Sequence, residues 1–483
     1  MRRTKIVVTL GPATNTHQRI AELIEAGMNV ARLNFSHGTH ADHAASLVMV
    51  RAAAAELGQP IAILQDLQGP KIRTGALENG EPVELTDGQT FTITTRPVIG
   101  NRQQVHTTYD ALPHDVSPGD AILISDGLLA LKVHKTTDTD VLCEVINGGI
   151  LREKQGINLP GVKISARAVT RKDINDLHFG LEQGVDYVAI SFVRQPDDVQ
   201  QVKDLIRQAG QDVPVIAKIE RPEPLEALDD ILAVADGVMV ARGDLGVELP
   251  LEEVPVIQKH IIAAANRRAV PVITATQMLE SMIHNPTPTR AEVSDVANAI
   301  IDGSDAVMLS GETSIGQYPV EAVRMMAEII AAAEASGYCH LSQRAGDGRW
   351  LRHDVDTIPE AIGAAVSAIV STLGVACIWV FTQSGSTARL TAQFRPGVPI
   401  IAFTPYEHVY RRMSLLWGVT PVRVPYFETD EQFWQRTLPV MIERGYARPG
   451  DTVVMTGGHP FSQHGPTNFL KIIRLEEIGS ARS

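Results

Sequence analysis

The sequence predicts a (β/α)₈ TIM barrel with an inserted all-β domain and a C-terminal α/β domain, and three observations predict it. Eight short apolar runs, rich in β-branched residues, alternate with amphipathic stretches of helix length. Polar and charged residues gather where those runs end. One long stretch, rich in Thr and Val and dense in turn signals, interrupts the alternation between the third and fourth runs.

The runs fall at residues 6–10, 29–35, 61–67, 187–193, 213–220, 237–246, 271–278 and 305–313. Helical patterning lies between them at 17–26, 197–208, 254–268 and 290–301. Collecting the ends of the runs gives Arg32, Asn34, Ser36, His37, Asp66, Ser191, Lys218, Glu220, Asp244, Thr276, Ser310 and Glu312. Scattered polar residues would not all fall at one end. The opposite, N-terminal face of the strands is expected to carry no comparable set, so the C-terminal mouth reads as the site.

Two runs dominate, Ile216-Ala-Lys-Ile-Glu220 and Val238-Met-Val-Ala-Arg-Gly-Asp-Leu-Gly246. Each is a buried parallel strand by composition and becomes charged only at its end. Lys218 and Glu220 alternate, so both point to one side, and Asp244 comes from the next strand. Two carboxylates holding a hard divalent cation beside one ammonium suit a phosphorylated or carboxylated small molecule. The plainer reading is a buried Lys–Glu pair with an Asp capping a helix. The eightfold pattern favours the site.

The interruption spans residues 75–169, with turns at Glu78-Asn-Gly80, Asp87-Gly88, Ser117-Pro-Gly-Asp120 and Gly148-Gly149, and alternating runs at 90–95 and 121–124. Inserted at the mouth, it would act as a lid that excludes water. The barrel accordingly occupies 1–74 and 170–340. Residues 337–354 read as a linker. A C-terminal unit follows over 355–478, with a helix at 358–373 and strands at 376–383, 398–403, 419–424 and 452–456. Its Thr382, Ser384, Gly385, Ser386 and Thr387 lie at a strand-to-helix turn, where backbone N–H groups and the helix dipole suit a phosphate. A second Gly-rich loop, 456–468, is placed to close over the same ligand. An ordinary Ser/Thr helix cap is the plainer alternative.

With 483 residues, 44% hydrophobic and 20% charged, the chain has ample material for globular cores. A net charge of −13 and a pI near 5.6 argue against nucleic acid and anionic membranes as partners. Three scattered cysteines, Cys143, Cys339 and Cys377, suggest a reducing compartment. The N-terminus enters a strand at once and no apolar run reaches membrane-spanning length, so a cytoplasmic location is expected.

The motifs closely resemble one family, pyruvate kinase. The matching stretches include Thr4-Lys-Ile-Val-Val-Thr-Leu-Gly-Pro12, Gly27-Met-Asn-Val-Ala-Arg-Leu-Asn-Phe-Ser-His-Gly38, Gly69-Pro-Lys-Ile-Arg-Thr-Gly75, Ala217-Lys-Ile-Glu220, Ala241-Arg-Gly-Asp-Leu-Gly246, Thr274-Ala-Thr-Gln-Met-Leu-Glu-Ser-Met282 and Leu309-Ser-Gly-Glu-Thr313. The resemblance implies the barrel, the lid, a C-terminal regulatory domain and usually a homotetramer. It also implies phosphoryl transfer from phosphoenolpyruvate to ADP in glycolysis. By motif, Glu220 and Asp244 resemble the ligands of Mg²⁺ or Mn²⁺, and Lys218 the ammonium that neutralises the phosphoryl group in flight. Arg32 matches the substrate-phosphate residue, while Arg73, with Asn34 and His37, faces the nucleotide. Gly243 and Asp244 offer N–H groups to the substrate carboxylate, and Thr276 is the hydroxyl near the methylene carbon. A phosphorylated effector at Thr382 to Thr387 completes the implied ligands.

Two departures matter. Asn34, Ser36 and Asp66 match side chains that hold a monovalent cation in potassium-dependent members, yet the next positions read Leu67-Gln68-Gly-Pro-Lys71 in place of the usual Thr-Lys-Gly-Pro-Glu. Lys71 brings its own cation, so potassium is expected not to be required. Thr74, shared with potassium-dependent members, points the other way. Gln155 stands where many members have a nucleotide-binding Lys, with Lys154 one residue earlier. Two other readings are a metal-dependent barrel aldolase or mutase, which would ignore ADP, and a catalytically inactive metabolite sensor.

Overall fold

The computed structural model describes residues 2–339, 357–460 and 465–475. Eight parallel strands close a barrel: β1 (Lys5–Thr9), β2 (Val30–Asn34), β3 (Ala62–Asp66), β4 (Tyr187–Ile190), β5 (Val215–Ile219), β6 (Gly237–Ala241), β7 (Val272–Ala275) and β8 (Ala306–Leu309). Each corresponds to one of the eight apolar runs, trimmed by a few residues at its ends. Every residue of β1, β3, β5 and β6 is buried, because parallel strands are covered on both faces. Inside the barrel, small Ala62, Ala189, Ala275 and Ala306 interleave with Val7, Leu64, Ile216 and Met239, filling the tapering interior without a pore. A larger layer, including Ile6, Val8, Ile20 and Leu23, packs the strands against the outer helices.

The helices begin where the chain supplies caps. Thr39 with Asp42, Thr170 with Asp173 and Thr289 with Glu292 form capping boxes at helices His40–Glu56, Arg171–Gln183 and Arg290–Ile301. Between β3 and β4 lies a six-stranded sheet ordered Ile157–Asn158, Ala121–Ile124, Leu129–Thr136, Asp140–Asn147, Thr90–Thr94, Gln104–His106, with a separate pair Val83–Leu85 and Gly149–Leu151. It has its own core around Phe91, Ile93, Leu131 and Val141. The chain's way in and way out are stitched together by bridges between Arg73 and Gly156 and between Thr74 and Thr107.

The C-terminal sheet holds β9 (Val375–Phe381), β10 (Ile400–Thr404), β11 (Val419–Arg423), β12 (Thr452–Gly457) and β13 (Phe469–Arg474), ordered β11-β10-β9-β12-β13, with β13 antiparallel. Sequence reasoning had no β13. The expected linker lies largely outside the described residues, as do 461–464 of the second Gly-rich loop and the last residues of the C-terminal unit.

This domain docks on the N-terminal face of the barrel, and here the structure differs from expectation. That face does carry a polar set, but its partners come from the docked domain. Lys5 Nζ donates to Val419 O (2.7 Å), Arg395 pairs with Asp305 (2.8 Å), Arg411 with Asp186 (2.9 Å), and Tyr187 donates to Arg412 O (2.8 Å). Burial pushes Lys5 down to about 7, helped by the charge of Arg2.

Candidate active site at the barrel mouth

The end of β5 carries the centre of the site. Lys218 Nζ lies 2.6 Å from Glu220 Oε1, 3.4 Å from Asp66 Oδ1 and donates to Ser191 Oγ at 2.8 Å. Ser191 Oγ in turn donates to Leu67 O (2.9 Å). Burial opposes the charge on Lys218, but Asp66, Glu220 and Asp244 outweigh it and hold the ammonium protonated above its ordinary range. Burial and the charges of Asp244 and Asp66 raise Glu220 as well, against the pull of Lys218. Its Oε2 accepts from the Phe192 N–H at 3.0 Å.

Asp66, opposite Asn34 in the β2–β3 register, is a junction of charges. Its Oδ2 takes Arg32 Nε at 2.7 Å and Nη2 at 2.7 Å, while Oδ1 has no hydrogen-bond partner. Lys218 and Arg32 overcome burial and keep the Asp66 carboxyl below its usual range. Arg32 is aimed further by Nη1 donating to Thr9 Oγ1 (2.8 Å). Thr9 is a residue that sequence reasoning missed, although it lies near the end of the first apolar run and is the last residue of β1. Asn34 Oδ1 accepts from the Ser36 N–H at 3.1 Å, turning the chain directly after β2.

On β6 and β7 the backbone does the positioning. Helix Arg242–Glu248 starts as β6 ends, with Asp244 in its first turn. Thr276 sits at φ +66° and Gln277 at +53°, uncommon for a β-branched residue and a mark of strain held by the surroundings. What holds it is Arg242, also missed in the sequence. Its guanidinium donates to Thr276 O (2.8 Å) and Gln277 O (3.2 Å) and is anchored bidentately on Asp295 (2.8 and 2.7 Å). The Thr276 hydroxyl donates to Ala275 O (2.6 Å) and accepts from the Gly243 N–H (2.7 Å). A Cβ at Gly243 would stand 3.3 Å from that hydroxyl, so the glycine permits the close approach.

The rim is cationic on one side. His37 is pushed down by burial and by Lys71, Arg73 and Arg32. Lys71 is exposed, yet crowding and the Lys218 charge lower it, with Asp244, Glu220 and Asp66 opposing. Arg73 is fixed by its backbone, exchanging hydrogen bonds with Thr108 (3.0 Å). Gln155 is occupied locally, accepting from the Arg152 N–H (2.9 Å) and donating to Ser125 Oγ (3.1 Å), while Lys154 is exposed beside it. Of the other strand-end residues, Glu312 is structural, accepting from the Leu279 and Ser310 N–H groups (3.0 and 2.7 Å).

A divalent cation fits the donor set. Asp244 is exposed at the mouth and has no hydrogen bond or ion pair, while the neighbouring Glu220 bears the like-charge stress that a cation relieves. Among the described residues no group of three or more His, Cys, Asp or Glu side chains could hold a metal. Two carboxylates alone would leave most of a hard cation's shell to substrate oxygens and water.

In the C-terminal domain the turn after β9 puts Gly385 at φ +89° before helix Ser386–Gln393, a conformation glycine accepts freely. The Gly385 N–H donates to Thr382 Oγ1 (2.8 Å), Ser384 Oγ donates to Ser386 Oγ (3.0 Å), and Thr387 Oγ1 meets Thr467 Oγ1 (2.8 Å). The last contact brings the second Gly-rich loop against the first. Ser384, Gly385 and Ser386 also line a cavity of about 1040 Å³ under the barrel, with Arg267, Arg268, Arg389 and Arg412 in its walls.

Known proteins share this arrangement. The family model for the barrel domain of pyruvate kinase matches residues 1–323, and the model for its alpha/beta domain matches 360–473. Pyruvate kinase 2 of Synechocystis sp. is 49% identical over 480 residues, covering 99% of this chain and 80% of the relative. The pyruvate kinase of Mycobacterium intracellulare is 46% identical over 476 residues, covering 99% of each. The crystal structure of a pyruvate kinase from Cryptosporidium parvum superposes with a TM-score of 0.91 at 38% identity, covering 98% of this chain and 96% of that one. With the barrel, the insertion and the C-terminal sheet all in common, the chain belongs to the pyruvate kinase family.

Proposed function

We propose that this protein transfers the phosphoryl group of phosphoenolpyruvate to ADP, giving pyruvate and ATP in glycolysis, with the roles of its residues read from the mouth. The observation that carries the reading is the buried ammonium of Lys218 among Glu220, Asp66 and Asp244. Phosphoryl transfer requires positioning and charge neutralisation more than covalent chemistry. Arg32, aimed by Asp66 and Thr9, grips the phosphate of phosphoenolpyruvate, and Lys218 neutralises the phosphoryl oxygens as the P–O bond to the enol oxygen breaks. Arg73, His37 and Asn34 receive the ADP phosphates, whose terminal oxygen forms the new P–O bond. The Gly243 and Asp244 N–H groups take the substrate carboxylate, Gly243 exchanging its bond to Thr276 for it.

Glu220 and Asp244 would hold the divalent cation, Mg²⁺ or Mn²⁺, which when bound would supply positive charge against the anionic substrate and the transferring phosphoryl group. The enolate left behind gains a proton at its methylene carbon. Lys218 is already engaged, by Glu220 at 2.6 Å and Ser191 at 2.8 Å and, in the transfer, by the phosphoryl oxygens. The Thr276 hydroxyl, which donates its proton to Ala275 O and takes the Gly243 N–H on its oxygen, is the better relay once it turns from Ala275 O.

Lys71, within electrostatic reach of Asp66, Glu220 and Asp244, takes the place of a monovalent ion near Asn34, Ser36 and Asp66, so potassium is not required. The inserted domain serves as the lid, and the domain divisions are those read from the sequence. Thr382, Ser384, Gly385, Ser386 and Thr387 receive the phosphate of a sugar phosphate or nucleoside monophosphate effector. The working form is a cytoplasmic homotetramer; among the described residues no helix is long and apolar enough to cross a membrane.

The test is pyruvate formation from phosphoenolpyruvate, ADP and Mg²⁺ in potassium-free buffer, coupled to lactate dehydrogenase, then repeated with potassium chloride at matched ionic strength. Full activity in the first buffer supports both the transfer and the role of Lys71. Activity only in the second retains the transfer and removes that role.

A further inference from the structure

Arg221 follows Glu220 directly and is 3% exposed. Its side chain leaves the mouth on the side of the inserted domain, donating to Val162 O at 3.0 Å and Leu159 O at 3.5 Å. Leu159 and Val162 belong to the inserted domain's own core, so these bonds grip the domain's body where its chain returns to the barrel. The same guanidinium faces Glu223 at 3.2 Å and Glu248 at 3.4 Å. Glu248 ends the helix that carries Asp244 in its first turn and takes Asn158 Nδ2 from the inserted domain at 3.4 Å. Its Oε2 is buried with no hydrogen-bond partner. Each carboxylate assigned to the divalent cation is thus one peptide bond or one helical turn from a residue holding the same short stretch of the inserted domain.

We infer that Arg221, together with Glu248, is a positioning pair that couples the placement of the inserted domain to the geometry of Glu220 and Asp244. This rests on the reading of those two carboxylates as the cation's ligands. A swing of the inserted domain must either strip a buried guanidinium of its carbonyl partners or drag the 220–221 segment with it. Stripping is costly because buried charges need their bonds. Dragging changes the separation of the two carboxylates. Either way, cation binding and domain placement are linked, and such a linkage acts equally in both directions.

The measurement uses the full-length protein and Mn²⁺ alone. Mn²⁺ affinity is read from the electron paramagnetic resonance of the free ion, and hydrogen exchange is followed across residues 157–165 with and without Mn²⁺. In the parent, Mn²⁺ slows exchange over that stretch. Arg221→Met abolishes the slowing and weakens Mn²⁺ by about tenfold or more, as loss of a supporting shell typically does, and Arg221→Lys recovers part of both. Should Arg221→Met fail to fold, Glu248→Gln, which keeps the guanidinium's carbonyl bonds, carries the test and weakens both readouts. Folded variants with parental affinity and parental protection would overturn the inference. Glu220→Gln and Asp244→Asn separate the two levels. Parental Mn²⁺ binding in these variants overturns the ligand reading itself. Binding that they abolish, with exchange at 157–165 indifferent to Mn²⁺ in the parent, overturns only the coupling.

Discussion

Asp66→Asn removes one charge from the floor of the mouth and leaves the side chain's shape. In the parent this carboxylate is 1% exposed, receives Arg32 through Nε and Nη2, each at 2.7 Å, and stands 3.4 Å from Lys218. Hydrogen bonds to charged groups are worth roughly 1.5–3 kcal/mol each, and breaking one side of a buried ion pair costs about 3–5 kcal/mol. The amide keeps one acceptor oxygen for Arg32, so the lower end, about 3 kcal/mol, is expected. At roughly 2–4 °C per kcal/mol for a domain of this size, the barrel's calorimetric transition falls by about 6–12 °C. Arg32 loses its aim at the same time, so KM for phosphoenolpyruvate rises. The pH dependence has a definite sign. The folded-state pKa of Asp66 is depressed, so its stabilisation is complete above the unfolded value, about 3.9, and is lost as pH falls through the folded value. The gap between parent and variant is therefore constant from neutrality to about pH 5 and closes only below about 4. A shift under about 2 °C with KM unchanged would refute the assignment of Asp66 as the group that aims Arg32.

Lys71→Glu restores a carboxylate at the rim, and pyruvate formation in that variant becomes dependent on added potassium chloride; activity indifferent to potassium in both proteins would show that Lys71 replaces no ion. Lys5, pushed down to about 7, binds its proton less well folded than unfolded, so between about pH 7 and 10 the unfolded chain holds more protons and stability rises with pH. Lys5→Met flattens that rise in a thermal melt series, and parallel curves would exclude the effect. Ser386→Asp puts a negative charge into the turn before helix Ser386–Gln393 and removes the kinetic response to whichever sugar phosphate or nucleoside monophosphate the parent answers; an unchanged response would place the effector elsewhere.

The barrel was legible because its signal is local. Each strand is a run of buried β-branched residues, and its functional residues come immediately after it, so reading 215–220 or 237–244 in order yields both strand and site. The edge strand Phe469–Arg474 was not legible for the opposite reason. Only one of its six residues is fully buried, and with Lys471 and Arg474 on an edge that faces water its pattern is weak. Long-range charge partners were equally hidden. Asp66 could be recognised as a site residue, but nothing adjacent in sequence says that Arg32 and Lys218 meet it. Asp186 and Asp305 precede their strands plainly enough, yet Arg411 and Arg395 arrive from a different domain. Arg242 shows the same limit, since its role depends on the backbone of a strand that begins thirty residues on.

Arg73 is bridged to Gly156 across the two chains that connect the inserted domain to the barrel. Its backbone therefore travels with the insertion, whereas Lys218 is built on a barrel strand and Glu220 and Asp244 follow directly after two of them. On the roles proposed above, the acceptor's residues are therefore split, Asn34 and His37 on the barrel and Arg73 with the insertion, and come together only in one relative placement of the two. On that reading a nucleotide that draws Arg73 inward assembles the rest of its own site as it does so, and a barrel with the insertion cut away would keep a place for the phosphoryl donor and only part of the place for the acceptor.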